Sequence, residues 1–560
     1  LPVNGRNFTS LMDLSPLSSG GNIAGQLSSS TNYTIDGMTA KGTVASGTTS
    51  GAYTISMEAV REFEVVTNQY DVTNGRSGGG TVSAVTKSGT NTFTGSVFGF
   101  GRADWLSSSY DIRGNKSTSD FSTYQYGFSL GGPIVKDRAH FYVVWDHQQD
   151  SRPIYIADIK TAADESRYNV TQSTLDRYLD IARTKYGVSN DPQFGEFGKK
   201  KQTNAVFARI DWQLNATNLL TIRNNFINED NKQSESDNSS INLYEVWIDR
   251  KSHNNSLLAT LRSVLSPKLT NELKLQQLPS SNIPRAIVEN VESISGDKSM
   301  YTSIQLGGQR YAPEHFKDNV LQLVDNMYYN TDRINYTFGA DFMYTNMKSL
   351  YGSEMNGRFY FTGLDNFEHM TPYRYAREIA LVDDPTVKMN TLNSAIYGQL
   401  QTKLFTGFEV MAGIRADYTR YFNHANFNQT VYDELGLRTD NVISTFQLQP
   451  RSQFTWDVND KHQDIIRLGA GIFGSDLNNY SMINNMLFDG TKVASVDIQG
   501  NLVPTPNFPA YRKDPSTAPG VDLFNNPNIQ KISTINMNSK DARVPVVYKL
   551  NASYTHFFSD

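Results

Sequence analysis

The sequence predicts an all-β transmembrane barrel, built as a large antiparallel meander, with a small mixed α/β domain at its N-terminus. Three observations carry that reading: long windows in which one parity is apolar and the other polar, connections that alternate short and long, and charges confined to the polar parity. Bulk composition conceals it. The 560 residues are 38% hydrophobic, with 51 Lys+Arg against 56 Asp+Glu, net charge -5 and no cysteine, and the mean hydropathy is -0.47. The longest purely apolar run, Phe141 to Trp145, falls far short of the ~18 residues of a membrane helix. Lack of cysteine excludes disulfides, thiolate zinc sites and cysteine nucleophiles. The charge balance argues against a nucleic-acid binder. Aromatics reach 12%, nearly all of it 30 Tyr and 30 Phe, and such residues favour strands.

Residues 1–90 form the first domain. They carry short strand-like pieces, Asn32–Asp36, Glu62–Thr67 and Thr81–Thr86, among Gly, Ser and Thr. The run Gly75-Arg76-Ser77-Gly78-Gly79-Gly80 lacks the Lys-Ser/Thr spacing of a phosphate loop, so it reads as a turn requiring positive φ.

Residues 91–560 form the second. In 334–344, Ile334, Tyr336, Phe338, Ala340, Phe342 and Tyr344 share one face and Asn335, Thr337, Gly339 and Asp341 the other. Windows 206–213, 410–418 and 546–558 alternate likewise, and weaker ones near 92–102, 123–132, 138–149, 217–228, 252–265, 268–278, 320–330, 391–404, 444–457 and 462–474 bring the count to about fourteen strands. Roughly ten residues each suits a tilted bilayer crossing, for which about 9–11 are needed. Short connections are Pro133–Asp137, Asn215–Ala216, Ser266–Pro267, Thr331–Asp332, Phe405–Thr406 and Val458–Lys461; between them lie long ones at 103–122, 150–202, 230–251, 279–319, 345–390, 422–443 and 475–545. A barrel with unequal ends produces that parity. Arg209, Asp211, Arg223, Arg262, Glu272, Lys274, Asp341, Arg415, Asp417, Arg467 and Lys549 all take the polar parity, where a wet lumen tolerates charge. Within 150–202, Ser173 is placed to cap a helix through Lys185, with Leu175, Tyr178, Leu179 and Ala182 on one face and Gly187 as its stop. The helix is expected to pack on its loop, the alternative being an interfacial membrane anchor.

Particular stretches carry a family resemblance. Leu1-Pro2-Val3-Asn4-Gly5-Arg6-Asn7-Phe8, Asn32-Tyr33-Thr34-Ile35-Asp36-Gly37, Val60-Arg61-Glu62-Phe63-Glu64-Val65, Gly78-Gly79-Gly80-Thr81-Val82 and Thr86-Lys87-Ser88-Gly89-Thr90-Asn91 resemble the plug domain of TonB-dependent outer-membrane receptors. Gly131-Gly132-Pro133-Ile134-Val135-Lys136-Asp137-Arg138 and Gln449-Pro450-Arg451 resemble the Oar-like branch. The resemblance implies a plug within a barrel of about twenty-two strands in the bacterial outer membrane. It further implies TonB with ExbB and ExbD as energy source, outer-membrane lipid as surroundings, and a peptide, protein or other scarce ligand or a surface lipoprotein as partner. The chain departs from the family in starting inside the plug without signal peptide or TonB box, in showing about fourteen strands, and in ending at Phe557-Phe558-Ser559-Asp560 without a closing aromatic terminus. It therefore reads as an internal portion, or the ordered part, of a longer protein.

No catalytic pattern emerges. The eight histidines show no i, i+4 pair, the acidic stretch from Asn228 to Asp237 lacks an EF-hand's glycine and final glutamate, and Asp383–Asp384 is merely a loop pair. The expectation is a non-enzyme without metal or cofactor. Candidate plug–barrel contacts are Arg6, Asp36, Arg61, Glu62, Glu64, Arg76 and Lys87 against Arg209, Asp211, Arg415 and Asp417. Candidate ligand-facing aromatics are Trp105, Tyr110, Tyr301, Tyr311, Tyr351, Phe359, Tyr360 and Phe361. An Oar-like transporter is the first functional expectation; a non-transporting surface barrel acting as adhesin or assembly component is the alternative, and a soluble β-rich binding protein the third.

Overall fold

The structure is a computed structural model and describes residues 12, 15, 17–19, 22–23, 25–26, 30–42, 55–110, 120–237, 241–285, 291–295, 303–311, 314–458, 460–477, 479–527, 529, 531–532 and 534–558. Fourteen strands form one antiparallel sheet in which each pairs with its sequence neighbour. They are β1 (Thr94–Ala103), β2 (Ser122–Val135), β3 (Ala139–Ile156), β4 (Gly195–Gln213), β5 (Asn218–Glu235), β6 (Ile248–Ser266), β7 (Leu269–Arg285), β8 (His315–Asn330), β9 (Ile334–Leu350), β10 (Val387–Phe405), β11 (Phe408–Tyr421), β12 (Ser444–Val458), β13 (Asp464–Gly474) and β14 (Val546–His556). Every window read as a strand coincides with one of them, and the short–long parity of the connections holds throughout. The barrel is not closed: among the described residues β1 and β14 do not pair with each other.

Alternation sets the two faces. Phe338, Phe342 and Tyr344 of β9, Ile396, Leu400 and Leu404 of β10, and Phe446 and Leu448 of β12 are exposed on the outward parity, whereas Arg223, Arg415 and Asp341 are buried on the inward one. This is the charge-free lipid band that the sequence predicts. Strands run past it. β4 has 19 residues, about 60 Å at ~3.3 Å each, against an apolar band ~25 Å tall. Its excess lies at the Gly195 end, where Glu196, Lys199, Lys200 and Lys201 replace the apolar alternation.

The long connections are more ordered than the sequence suggests. Four of them contribute to a second, seven-stranded sheet, ordered Ile241–Asn242, Ser303–Leu306, Val291–Ser295, Arg358–Thr362, Arg374–Ala380, Val493–Gln499, Lys531–Ile532. A fifth supplies helix α1 (Gln172–Tyr186), which starts one residue before the expected cap because Thr171, not Ser173, accepts the Thr174 amide; it ends at left-handed Gly187. Leu175, Tyr178, Ile181, Ala182 and Tyr186 of α1 pack with Phe359, Phe361, Phe367 of α2 (Gly363–Glu368), Phe508 and Tyr511. Tyr186 stacks on Phe367 with ring centroids 4.1 Å apart. That burial removes the interfacial-anchor alternative, since the apolar face of α1 meets protein. The loops together make a cap with its own core.

Candidate functional site

An N-terminal unit lies against the inward face of the barrel. Its sheet runs in the order Met38–Thr39, Thr31–Ile35, Gly80–Thr86, Val60–Val66, with the middle pair parallel and the outer pairs antiparallel. The unit meets the wall in two different ways. On one side the contact is apolar: Ile35, Tyr33, Val82 and Ala84 cluster with Tyr142, Val144 and Phe207 of β3 and β4, and Met38 packs on Leu258 and Val324.

On the other side, the segment 67–79 is gripped by its backbone. Arg451 of β12 donates to the carbonyls of Asp71 at 3.0 Å and Asn74 at 2.7 Å. Arg415 of β11 donates to the Val72 carbonyl at 3.1 Å, and Lys549 of β14 to that of Thr67 at 3.0 Å. The Val72 amide donates to Gln399 Oε1 at 3.0 Å, and the Tyr70 hydroxyl to Asn551. Two glycines permit this approach: a Cβ on Gly75 would lie 2.5 Å from Arg415 Nη2, and one on Gly78 2.2 Å from Ser475 Oγ. Positive φ occurs at Arg76 and Gly80 within the run, not at Gly75, so that glycine serves proximity more than turn geometry.

Charge marks both joints. Asp36, in a left-handed turn with Gly37, accepts the Thr86 amide at 2.9 Å and faces Arg223 Nε at 3.4 Å. Its carbonyl accepts from Lys274 at 3.2 Å. Arg209 grips Asp211 at 2.8 Å and reaches Thr86 Oγ1 at 2.9 Å. Arg415 holds Asp417 at 2.6 Å and Asp341 at 3.3 Å, and Arg76 approaches Asp341 at 3.8 Å. Above them, Asp476 faces Lys41 at 3.5 Å and Arg76 at 4.0 Å. It leads into helix α3 (Asn479–Leu487), whose Met482, Ile483, Met486 and Leu487 pack on Met347, Met389 and Tyr421 at the inner rim.

Among the sequence-named residues, Asp36, Arg76, Arg209, Asp211, Arg415 and Asp417 therefore come together at the joints. Lys87 pairs within the unit, with Glu58 at 3.8 Å. Arg61 and Glu62 are exposed on Val60–Val66. Glu64 lines a cavity of about 320 Å³ that Arg467 and Asn551 close from the wall. Arg6 and Tyr301 lie outside the described residues. Trp105 and Tyr110 are exposed, and Tyr311 stacks on Tyr351 at 6.0 Å. Phe359 and Phe361, expected to face a ligand, are instead buried in the cap core. Tyr360 donates to Glu354 at 2.8 Å and lies under Arg374 at 4.5 Å. Nearby, burial pushes the Glu378 carboxyl up to about 7, with Glu354 adding to the rise and the Ser353 amide opposing it. Among the described residues, no three His, Asp or Glu side chains converge as a metal site.

Sequence reasoning missed the grip of Arg451 and Lys549 and the amide contacts of Gln276, Gln322 and Gln399. A signal existed for the apolar dock: Tyr142, Val144, Phe207, Leu258 and Val324 are apolar residues on the inward parity, which a water-filled lumen does not require.

Comparison with known proteins adds the following. The family model of the outer membrane beta barrel domain matches residues 85–174 and 166–559. The TonB-dependent transporter Oar of Myxococcus xanthus is 33% identical over 153 residues, covering 24% of this chain and 14% of that protein. The outer membrane transporter YddB from Escherichia coli superposes with a TM-score of 0.61 at 13% identity, covering 89% of this chain and 65% of that one. The siderophore receptor PirA from Acinetobacter baumannii gives 0.51 at 13% identity, covering 86% and 60%. The chain thus spans less than two thirds of each, and the two structural likenesses speak for the fold.

Proposed function

Since the chain belongs to the outer membrane beta barrel family and lies in the outer membrane, we propose that it is the plug-and-barrel portion of an Oar-like TonB-dependent transporter. In this reading residues 1–90 are the plug, residues 91–560 the barrel, and the cap with the segment around Arg76 and Asp476 the entry side. A large or scarce ligand, such as a peptide or protein, passes when TonB, driven with ExbB and ExbD, withdraws part of the plug. No step makes or breaks a covalent bond.

One observation supports it most: segment 67–79 is held by Arg415, Arg451 and Lys549 through carbonyls alone. Bonds of that kind detach one at a time, and water in the lumen can replace each. The deciding experiment crosslinks residues 67–79 to the barrel in cells through paired cysteines, Gly78→Cys and Ser475→Cys, in the full-length protein; a Cβ on Gly78 would lie 3.5 Å from that of Ser475, which suits a disulfide. Growth on peptide as sole nitrogen source should fail under oxidation and return on reduction. Unchanged growth with loss of surface attachment would instead support the adhesin reading.

A further inference from the structure

On the outward face, above the lipid band, three lysines occupy one rung of the sheet. Lys317 of β8 lies directly opposite Lys348 of β9, and Lys348 directly opposite Lys388 of β10. All three are exposed. Directly opposed like charges destabilise a sheet, because their Cβ atoms lie only about 5 Å apart. The sheet avoids this elsewhere on the same face: Asp230 of β5 lies opposite Lys251 of β6, the pair 3.6 Å apart. Among the described residues Lys388 pairs only with the exposed Asp384, at 3.9 Å, whose charge also reaches Lys348, and neither Lys317 nor Lys348 forms an ion pair of its own.

The height of the rung identifies its partner. Down the outward face of β9 and β10, the lysines are followed by the hydrogen-bonded pair Asn346–Asn390 and then by Tyr344 beside Leu392. Tyr344 is exposed at the top of the apolar run that continues through Phe342 and Phe338. Aromatic residues mark the membrane interface. Four residues separate Tyr344 from Lys348, about 13 Å at ~3.3 Å each. The cations therefore stand at the level of lipid headgroups, facing outward, where acyl chains have ended.

We propose that Lys317, Lys348 and Lys388 bind the phosphate groups of a phosphorylated outer-leaflet lipid. A row of ammonium groups offers several point charges at once, matching a headgroup with more than one phosphate. The inference rests on the outer-membrane placement of the barrel and not on transport, so a protein that failed to import anything would leave it standing.

The test is native mass spectrometry of the full-length protein in detergent, titrated with bis-phosphorylated lipid A and with its dephosphorylated form. The three lysines should favour the phosphorylated lipid by roughly a hundredfold, about fivefold each. K317Q/K348Q/K388Q should bind both forms alike, while K317R/K348R/K388R keeps the preference. Should the triple glutamine variant not fold, as judged by heat-dependent electrophoretic mobility, K348Q alone should lower the preference about fivefold. Retention of the preference by the glutamine variants overturns the proposal. So does displacement of the lipid by an equal concentration of inorganic pyrophosphate, which would make the rung a free-phosphate site.

Discussion

Replacing Arg451 by Met keeps a long side chain in the lumen but removes every hydrogen bond to segment 67–79 from β12. Two of those bonds are well formed, to Asp71 and Asn74, and a third, to Gln69, is long at 3.5 Å. A bond from a charged donor contributes about 1.5–3 kcal/mol, while the Asp71 carbonyl keeps the Asn74 amide at 3.3 Å and the Asn74 carbonyl keeps the Ser77 hydroxyl at 3.3 Å. Part is recovered, because a buried guanidinium no longer has to be desolvated. The structure also leaves Arg415, Lys549 and Gln399 holding their own partners. The net loss should be about 2–5 kcal/mol for opening of the segment, which raises its open population by about 30-fold at the lower bound. The lack of any native cysteine makes this directly measurable. Ser77, fully buried at the end of the segment, becomes a reporter as Ser77→Cys, and its maleimide labelling rate in outer-membrane vesicles reads the open fraction. Arg467→Gln is the control, because Arg467 bonds Thr555 at 3.2 Å and not the segment; it should change labelling by less than about 2-fold. Equal labelling in R451M and R467Q would refute the idea that the backbone grip holds the segment.

Three other outcomes follow from the structure. Asp36→Ala leaves buried Arg223 without its carboxylate at 3.4 Å and should weaken that joint by about 3–5 kcal/mol, seen as faster hydrogen exchange at the Thr86 amide, which Asp36 accepts. Phe367→Ala removes the ring between Tyr178, Tyr186 and Phe361 and should cost the cap about 3–5 kcal/mol; proteases should then cut residues 359–375 while the heat-dependent mobility of the barrel is unchanged. Glu378 has a carboxyl raised to about 7 by burial, so its contribution favours the cap fully below the ordinary carboxylate range and is lost as pH rises through about 7; protease resistance of the cap should fall between pH 5 and pH 8, and Glu378→Gln should flatten that dependence.

Much of the barrel was legible because a strand that faces lipid on one side and a wet, charged lumen on the other has to alternate. Ile334 to Tyr344 against Asn335 to Asp341 states both faces in eleven residues. The upper parts of the strands were not legible. At Gly195–Lys201 both faces meet polar surroundings and nothing enforces a period. The cap sheet escaped for another reason. Its strands are as short as Ile241–Asn242, and their neighbours come from connections far apart in sequence, so no local window holds the pattern. Phe359 and Phe361 illustrate the resulting error, since alternating aromatics in a loop read as a ligand face until the second sheet and α1 are seen to cover them. Asp36 and Arg415 were legible as charges with nowhere else to go; the carbonyl grip was not, because a backbone acceptor has no letter in the sequence.

That last property bears on how the segment can change over generations. Arg451 and Lys549 read positions along a chain and are indifferent to what each position displays, whereas Arg415 also needs Gly75 to stay bare. Asn68, Gln69 and Thr73 can therefore be exchanged without disturbing the atoms that are held. Inserting or deleting one residue would instead move every carbonyl out of place at once. Apart from Tyr70, Gly75, Arg76 and Gly78, whose own side chains or lack of one meet the wall, the segment should accumulate substitutions while keeping its length, a pattern that distinguishes an anchored spacer from a recognition loop.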